Sequence, residues 1–149
     1  MALPVDNYIM TLEQQVCSLD LAKQLKKLGV KQESLYWWSE HTQPPTLWSE
    51  KADDDNAIWD ERQYSAFTVA ELGEMLPGYI ESKGLQIRME LQCKKLTNWN
   101  KYSVEYRIPS ESYAFTTDEI ILNADTEADA RAKMLIYLLE NKLIEISAN

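Results

Sequence analysis

Leu85-Gln86-Ile87-Arg88-Met89-Glu90-Leu91-Gln92-Cys93 and Tyr102-Ser103-Val104-Glu105-Tyr106-Arg107-Ile108 both alternate apolar and polar side chains with a period of two. Successive side chains of an extended chain point to opposite faces, so each run presents one apolar and one polar side. Two one-sided strands joined by the polar stretch 94–101 read as an antiparallel hairpin whose apolar face needs cover. Glu119 to Leu122, preceded by Ser112 to Phe115, offers a third strand interrupted at Thr116-Thr117-Asp118.

The cover lies downstream. From about Glu127 to Lys142, Ala128, Ala132, Leu135 and Leu139 form a helical stripe widened by Met134, Ile136 and Leu138. Asp125 or Thr126 caps this helix, and Glu127 to Arg131 and Asp129 to Lys133 are acid-before-base pairs four apart. Leu143 to Ile146 continues as a short strand or an apolar tail.

Two shorter helices are expected in the first half. Leu21, Leu25 and Leu28 share a face of a helix from about Leu19 to Leu28, with Ser18 as N-cap and Lys23, Lys26 and Lys27 outward. Gly29 stands at its left-handed stop, and Val30 can close back on Leu25 in a Schellman ending. Thr68 and Glu71 spell a capping box, with Phe67 and Leu72 at the staple positions, for a helix that Pro77-Gly78 ends. The fold class is thus α+β, a small antiparallel sheet packed against a C-terminal helix, with 1–149 as one domain. A chain of this size buries roughly 70% of its unfolded surface, enough for a core without staples.

Between these elements, Leu35-Tyr36-Trp37-Trp38 has strand propensity, and its two tryptophans face opposite sides of such a strand. Gln43 to Arg62 shows no period and reads as a long acidic, tryptophan-containing loop with one short extended piece. Residues 33–81 carry 2 basic against 11 acidic side chains, whereas 1–32 and 82–149 are nearly balanced, so this third holds the whole net charge of −9. Trp37, Trp38, Trp48 and Trp59 lie in the same third. For Trp48 and Trp59, burial of the indole against the core is the favoured reading.

Composition excludes several function classes. The negative charge repels phosphate backbones and anionic membrane surfaces, so direct nucleic-acid or membrane binding is not expected. No apolar span suits a bilayer and the N-terminal residues do not read as a secretory signal, which makes the expected setting cytoplasmic. Cys17 and Cys93 sit beside apolar neighbours and read as buried, reduced thiols. His41 is the single histidine, in a polar loop without a nucleophile motif, and reads as solvated rather than catalytic. With glycines only at positions 29, 73, 78 and 84, no phosphate cradle occurs. Asp53-Asp54-Asp55-Asn56 fails the calcium-loop pattern, because Ile58 stands where that loop needs glycine. Neither a catalytic residue, a metal site nor a cofactor is expected.

Three runs, Leu19–Trp38 (LDLAKQLKKLGVKQESLYWW), Ala66–Pro77 (AFTVAELGEMLP) and Ala128–Ile144 (ADARAKMLIYLLENKLI), cover about a third of the chain. In this order they resemble a family of small phage and prophage proteins of bacterial mobile elements whose function is not assigned. The resemblance implies a cytosolic setting and a phage origin and carries over no catalytic residues. The expected function is that of a non-enzymatic interaction protein meeting a basic protein partner through Trp48, Asp53, Asp54, Asp55, Trp59 and Asp60. A small-ligand or carbohydrate-binding module using Trp48, Trp59 or Trp99 is the alternative.

Overall fold

The computed structural model describes residues 10–49, 61–82, 84, 86–109 and 119–146. Its centre is the expected hairpin. Strands β5 (Arg88–Leu96) and β6 (Lys101–Arg107) pair antiparallel, with Cys93 opposite Val104 and Leu91 opposite Tyr106. The strands extend further toward each other than the alternation suggests, and Asn100, a residue that tolerates the left-handed region, closes the turn at φ 50°. β7 (Ile120–Ala124) adds beside β6, and β4 (Tyr79–Glu81), which the sequence does not announce, adds beside β5, giving the order β4-β5-β6-β7. Leu85 and Ser112 to Phe115 lie outside the described residues.

The C-terminal helix runs Glu127–Glu140, and the Thr126 hydroxyl accepts the Asp129 N–H at 3.1 Å. Ala128, Ala130, Ala132, Met134, Leu135, Ile136 and Leu138 are all buried. Such a helix is covered on nearly every side, by β6 and β7 on one flank and by helices from the first half on the other. Glu127 and Arg131 pair at 2.8 Å as expected. Asp129 and Lys133 do not. The Asp129 carboxylate accepts the Ser18 N–H at 2.7 Å from the distant start of the next helix to be described, and the Lys133 ammonium donates to the Asn123 carbonyl.

The first half supplies α1 (Leu12–Gln15), α2 (Leu19–Lys27) and α3 (Val69–Met75), so that the helix Glu127–Glu140 is α4. α2 ends as a Schellman motif: Gly29, at φ 89°, donates to the Lys26 carbonyl and Val30 to that of Leu25. The capping box of α3 is complete, with Thr68 and Glu71 each accepting the other's N–H, and Phe67 and Leu72 are fully buried. The apolar residues 143–146 form no strand.

A second sheet, β2-β1-β3, joins β1 (Trp37–Ser39), β2 (Thr46–Trp48) and β3 (Gln63–Ser65). Strands of three residues are too short to show a period, so only the β1 region and the extended piece within 43–62 are anticipated. This sheet is tied to the core by the Trp38 indole donating to the Cys17 carbonyl at 2.9 Å. Lys23 and Lys26 do not point to open solvent as expected; Lys23 pairs with Glu40 at 2.9 Å and Lys26 donates to the Gln63 carbonyl, both over the Tyr64 ring.

Two further expectations are corrected. Cys17 is buried but Cys93 is exposed, because β4 pairs only with Arg88 to Glu90 and leaves β5 an outer strand from there on. The polar face of β6 is not a solvent face: Ser103 and Glu105 are buried. Burial pushes the Glu105 carboxyl upward, but Lys94 at 3.0 Å, Arg107 at 2.6 Å and the Ser103 hydroxyl at 3.0 Å outweigh it and hold it below the ordinary 4.5.

A carboxyl held low in the folded state stabilises the fold above the unfolded pKa, and that contribution is lost as the pH falls below about 4.5 through the folded value. Glu105→Gln should therefore cost about 1–3 kcal/mol at pH 7 and flatten the loss of stability on acidification, read from urea midpoints at pH 7 and at acid pH. Gly29→Ala should cost about 1–2 kcal/mol in the same assay, because the side chain must adopt the left-handed region.

Candidate functional site

Of the six residues singled out for partner contact, the structure places Trp48; Asp53, Asp54, Asp55, Trp59 and Asp60 lie outside the described residues. Trp37 and Trp48 are direct cross-strand partners and so share a face of the three-stranded sheet. Their environments differ sharply. Trp37, on the central strand between two neighbours, is 6% exposed, whereas Trp48, at the end of outer strand β2, is 53% exposed. The expected burial of Trp48 is thereby overturned: among the described residues no strand flanks β2 on its far side. Its indole N–H donates to the Thr46 hydroxyl at 2.8 Å, which fixes the ring while leaving much of its area in water. Trp38, on the opposite side of β1, is half-buried as its alternation with Trp37 implies.

Trp99 is 72% exposed in the turn between β5 and β6, and Leu35 is 64% exposed just before β1. Isolated exposed apolar residues are ordinary, but large aromatic ones carry more unburied area than any other side chain.

A second feature was not legible in the sequence. The end of α2, the residues before α3, α3 itself, α4 and the C-terminal residues enclose a groove of about 470 Å³. Val30, Phe67 and Leu135 form its buried depth, while Met75, Leu139 and Ile144 keep partial exposure toward its mouth. Glu33, Glu74 and Glu145 stand on its rim with a single cation, Lys31. Lys31 is bound to Glu33 at 3.1 Å, so Glu74 and Glu145 are without an ion-pair partner among the described residues. Sequence reading assigns Met75, Leu135 and Leu139 to helix core faces; only the apolar run 143–146, left over after the last helix, hints that they are incompletely covered. A smaller cavity of about 300 Å³, between Met10, Gln14 and Tyr102, holds Lys95 and Asp125.

Burial pushes the Cys17 thiol up to about 12, which keeps it protonated, and burial raises Cys93 as well. Tyr106 is raised by burial and donates its hydroxyl to the Pro77 carbonyl at 2.7 Å. His41, expected to be solvated, is half-buried in the turn after β1, its backbone N–H donating to the Ser39 hydroxyl oxygen at 3.4 Å. Among the described residues no group of three His, Cys, Asp or Glu could hold a metal ion, and no helix is long and apolar enough to cross a membrane.

No family model, curated protein or solved structure matches this chain.

Trp48→Phe and Trp99→Phe together should blue-shift the tryptophan emission and lower the acrylamide quenching constant, whereas Trp37→Phe should remove emission without lowering that constant. Quenching unchanged by Trp48→Phe would mean that its indole is shielded in solution.

Proposed function

We propose that this chain is a non-enzymatic cytoplasmic interaction protein, of phage origin, whose acidic tryptophan-bearing region 33–81 contacts a protein with a basic surface. The observation that carries the reading is the exposure of Trp48 on an outer strand, within the third of the sequence that holds the whole charge excess. A half-exposed indole leaves apolar area unburied, and aromatic residues of this kind dominate binding energy when a partner covers them. The carboxylates of the same third of the sequence select the partner's sign. They speed encounter with a cationic surface, and a lysine or arginine from that surface can lie over the indole face.

The carbohydrate-binding alternative requires an aromatic cleft. Neither of the two cavities described above has a tryptophan among its described lining residues.

Affinity capture from a bacterial lysate followed by binding kinetics tests the proposal. Asp53→Asn, Asp54→Asn and Asp55→Asn combined should slow association about tenfold at low salt and little at high salt. Trp48→Ala should speed dissociation about 30-fold. Capture of the same proteins, at the same rates, by wild type and both variants would remove the basis for this function.

A further inference from the structure

We infer that the groove between α2, α3, α4 and the C-terminal residues docks a short amphipathic basic peptide segment of a partner protein, apolar anchors inward and lysine or arginine at the rim. This inference stands on a surface apart from the Trp48 face, since neither Trp48 nor any other described tryptophan lines the groove. Three properties identify the occupant.

Its volume, about 470 Å³, lies within the usual range for ligand sites, so the groove can receive whole side chains rather than a water or two. Its floor is apolar: Met75, Leu139 and Ile144 keep partial exposure above the buried Phe67 and Leu135, and Ile146 at its edge is 36% exposed. Covering this floor releases water from apolar area, which drives association. The rim decides the charge. Glu33 is neutralised by Lys31, but Glu74 and Glu145 have no described cation, so an anionic amphiphile such as a fatty acid would place like charges together while a cationic one would complete the pairs.

The walls favour a peptide over a small amine. Glu74 lies on α3 and Glu145 in the C-terminal residues, on separate segments, with Leu135 and Leu139 of α4 contributing to the apolar floor. An amphipathic segment offers apolar anchors at i, i+3, i+4 and i+7 with basic residues flanking them, which meets two separated carboxylates across one floor. A lone alkylammonium carries one positive charge and can meet only one.

The probe is a fluorescein-labelled 14-residue peptide with leucines at helical spacing and lysines elsewhere, titrated in an anisotropy assay and followed by methyl NMR. The wild-type chain should bind it saturably, with the methyl resonances of Met75, Leu139 and Ile144 shifting. Glu74→Lys with Glu145→Lys should weaken binding at least about tenfold. Glu13→Lys with Glu81→Lys, which changes net charge equally at exposed sites outside the groove, should leave it within about twofold. Circular dichroism confirms that both variants fold. Equal weakening by the two pairs, unmoved groove methyls, or equal binding of a peptide with glutamate in place of lysine would each overturn the inference. Saturation of the groove by dodecylammonium while the peptide fails to bind would overturn it in favour of a small amphiphile. Because Trp48 and Asp53 to Asp55 remain wild type throughout, these failures are distinguishable from failure of the contact proposed at Trp48 and Asp53 to Asp55.

Discussion

A helix that is apolar on nearly every side cannot rest on one surface, and α4 is such a helix. Seven of its side chains are buried, among them Met134, Leu135, Ile136 and Leu138. Each fully buried Leu, Ile or Met stabilises the fold by about 1.5–3 kcal/mol, but only if cover arrives from both flanks. The four-stranded sheet covers one flank through β6 and β7, and α1, α2 and α3 cover the other. Hence the two halves of the chain, each amphipathic and incomplete, are held together by a segment that comes after both. Three alanines, at positions 128, 130 and 132, keep the first half of α4 thin enough for close approach. There the Asp129 carboxylate reaches the Ser18 N–H and spans 111 residues of sequence. Burial raises the Asp129 carboxyl despite that bond, so the contact orients α2 against α4 more than it stabilises the charge.

What the sequence makes legible follows from this constraint. Periodicity reports burial, and several elements packed on α4 carry it clearly: the alternation of β6, the leucine face of α2, the stripe of α4 itself. Punctuation was equally readable, because the left-handed glycine at position 29 and the Thr68 capping box satisfy backbone groups by local chemistry alone. The second sheet was not readable. Its strands have three residues each, and the face that Trp37 shares with Ser39, Gln63 and Ser65 is buried while bearing polar side chains, so neither period nor composition marks it. Glu105 departs from its expected solvent face for a related reason. A carboxylate in an alternating strand signals solvent, yet here Lys94, Arg107 and Ser103 supply enough donors to let it be buried charged. Pairings across strands decide such burial, and sequence spacing does not contain them.

The candidate sites show the same division. Charge excess is a property of composition, and it pointed to region 33–81; exposure of an apolar group is a property of what fails to be covered, and no pattern in the chain encodes it. Trp48 is exposed because β2 is an outer strand, not because its neighbours in sequence are polar. The groove exists because α3, seven residues long, ends before it covers the second half of α4, and the residues after α4 line the gap without filling it.

The groove leaves apolar area uncovered with Glu74 and Glu145 beside it, and Trp48 leaves apolar area uncovered within the acidic third of the sequence. The carboxylates add little to folding, since exposed charges interact weakly through water. Their effect is on selection. An uncovered apolar patch by itself attracts any apolar surface, including a second copy of the chain or a membrane. Adding acids around it raises the energy of contact with like-charged copies and anionic lipid, each meeting a net charge of −9, and lowers it for cationic partners. Acids placed at such edges therefore narrow what can bind far more than they increase how tightly it binds. On the proposed reading, a chain that carries its whole charge excess in the third containing Trp48, Phe67, Glu74 and Met75 excludes most apolar partners while keeping its apolar surface available to basic ones.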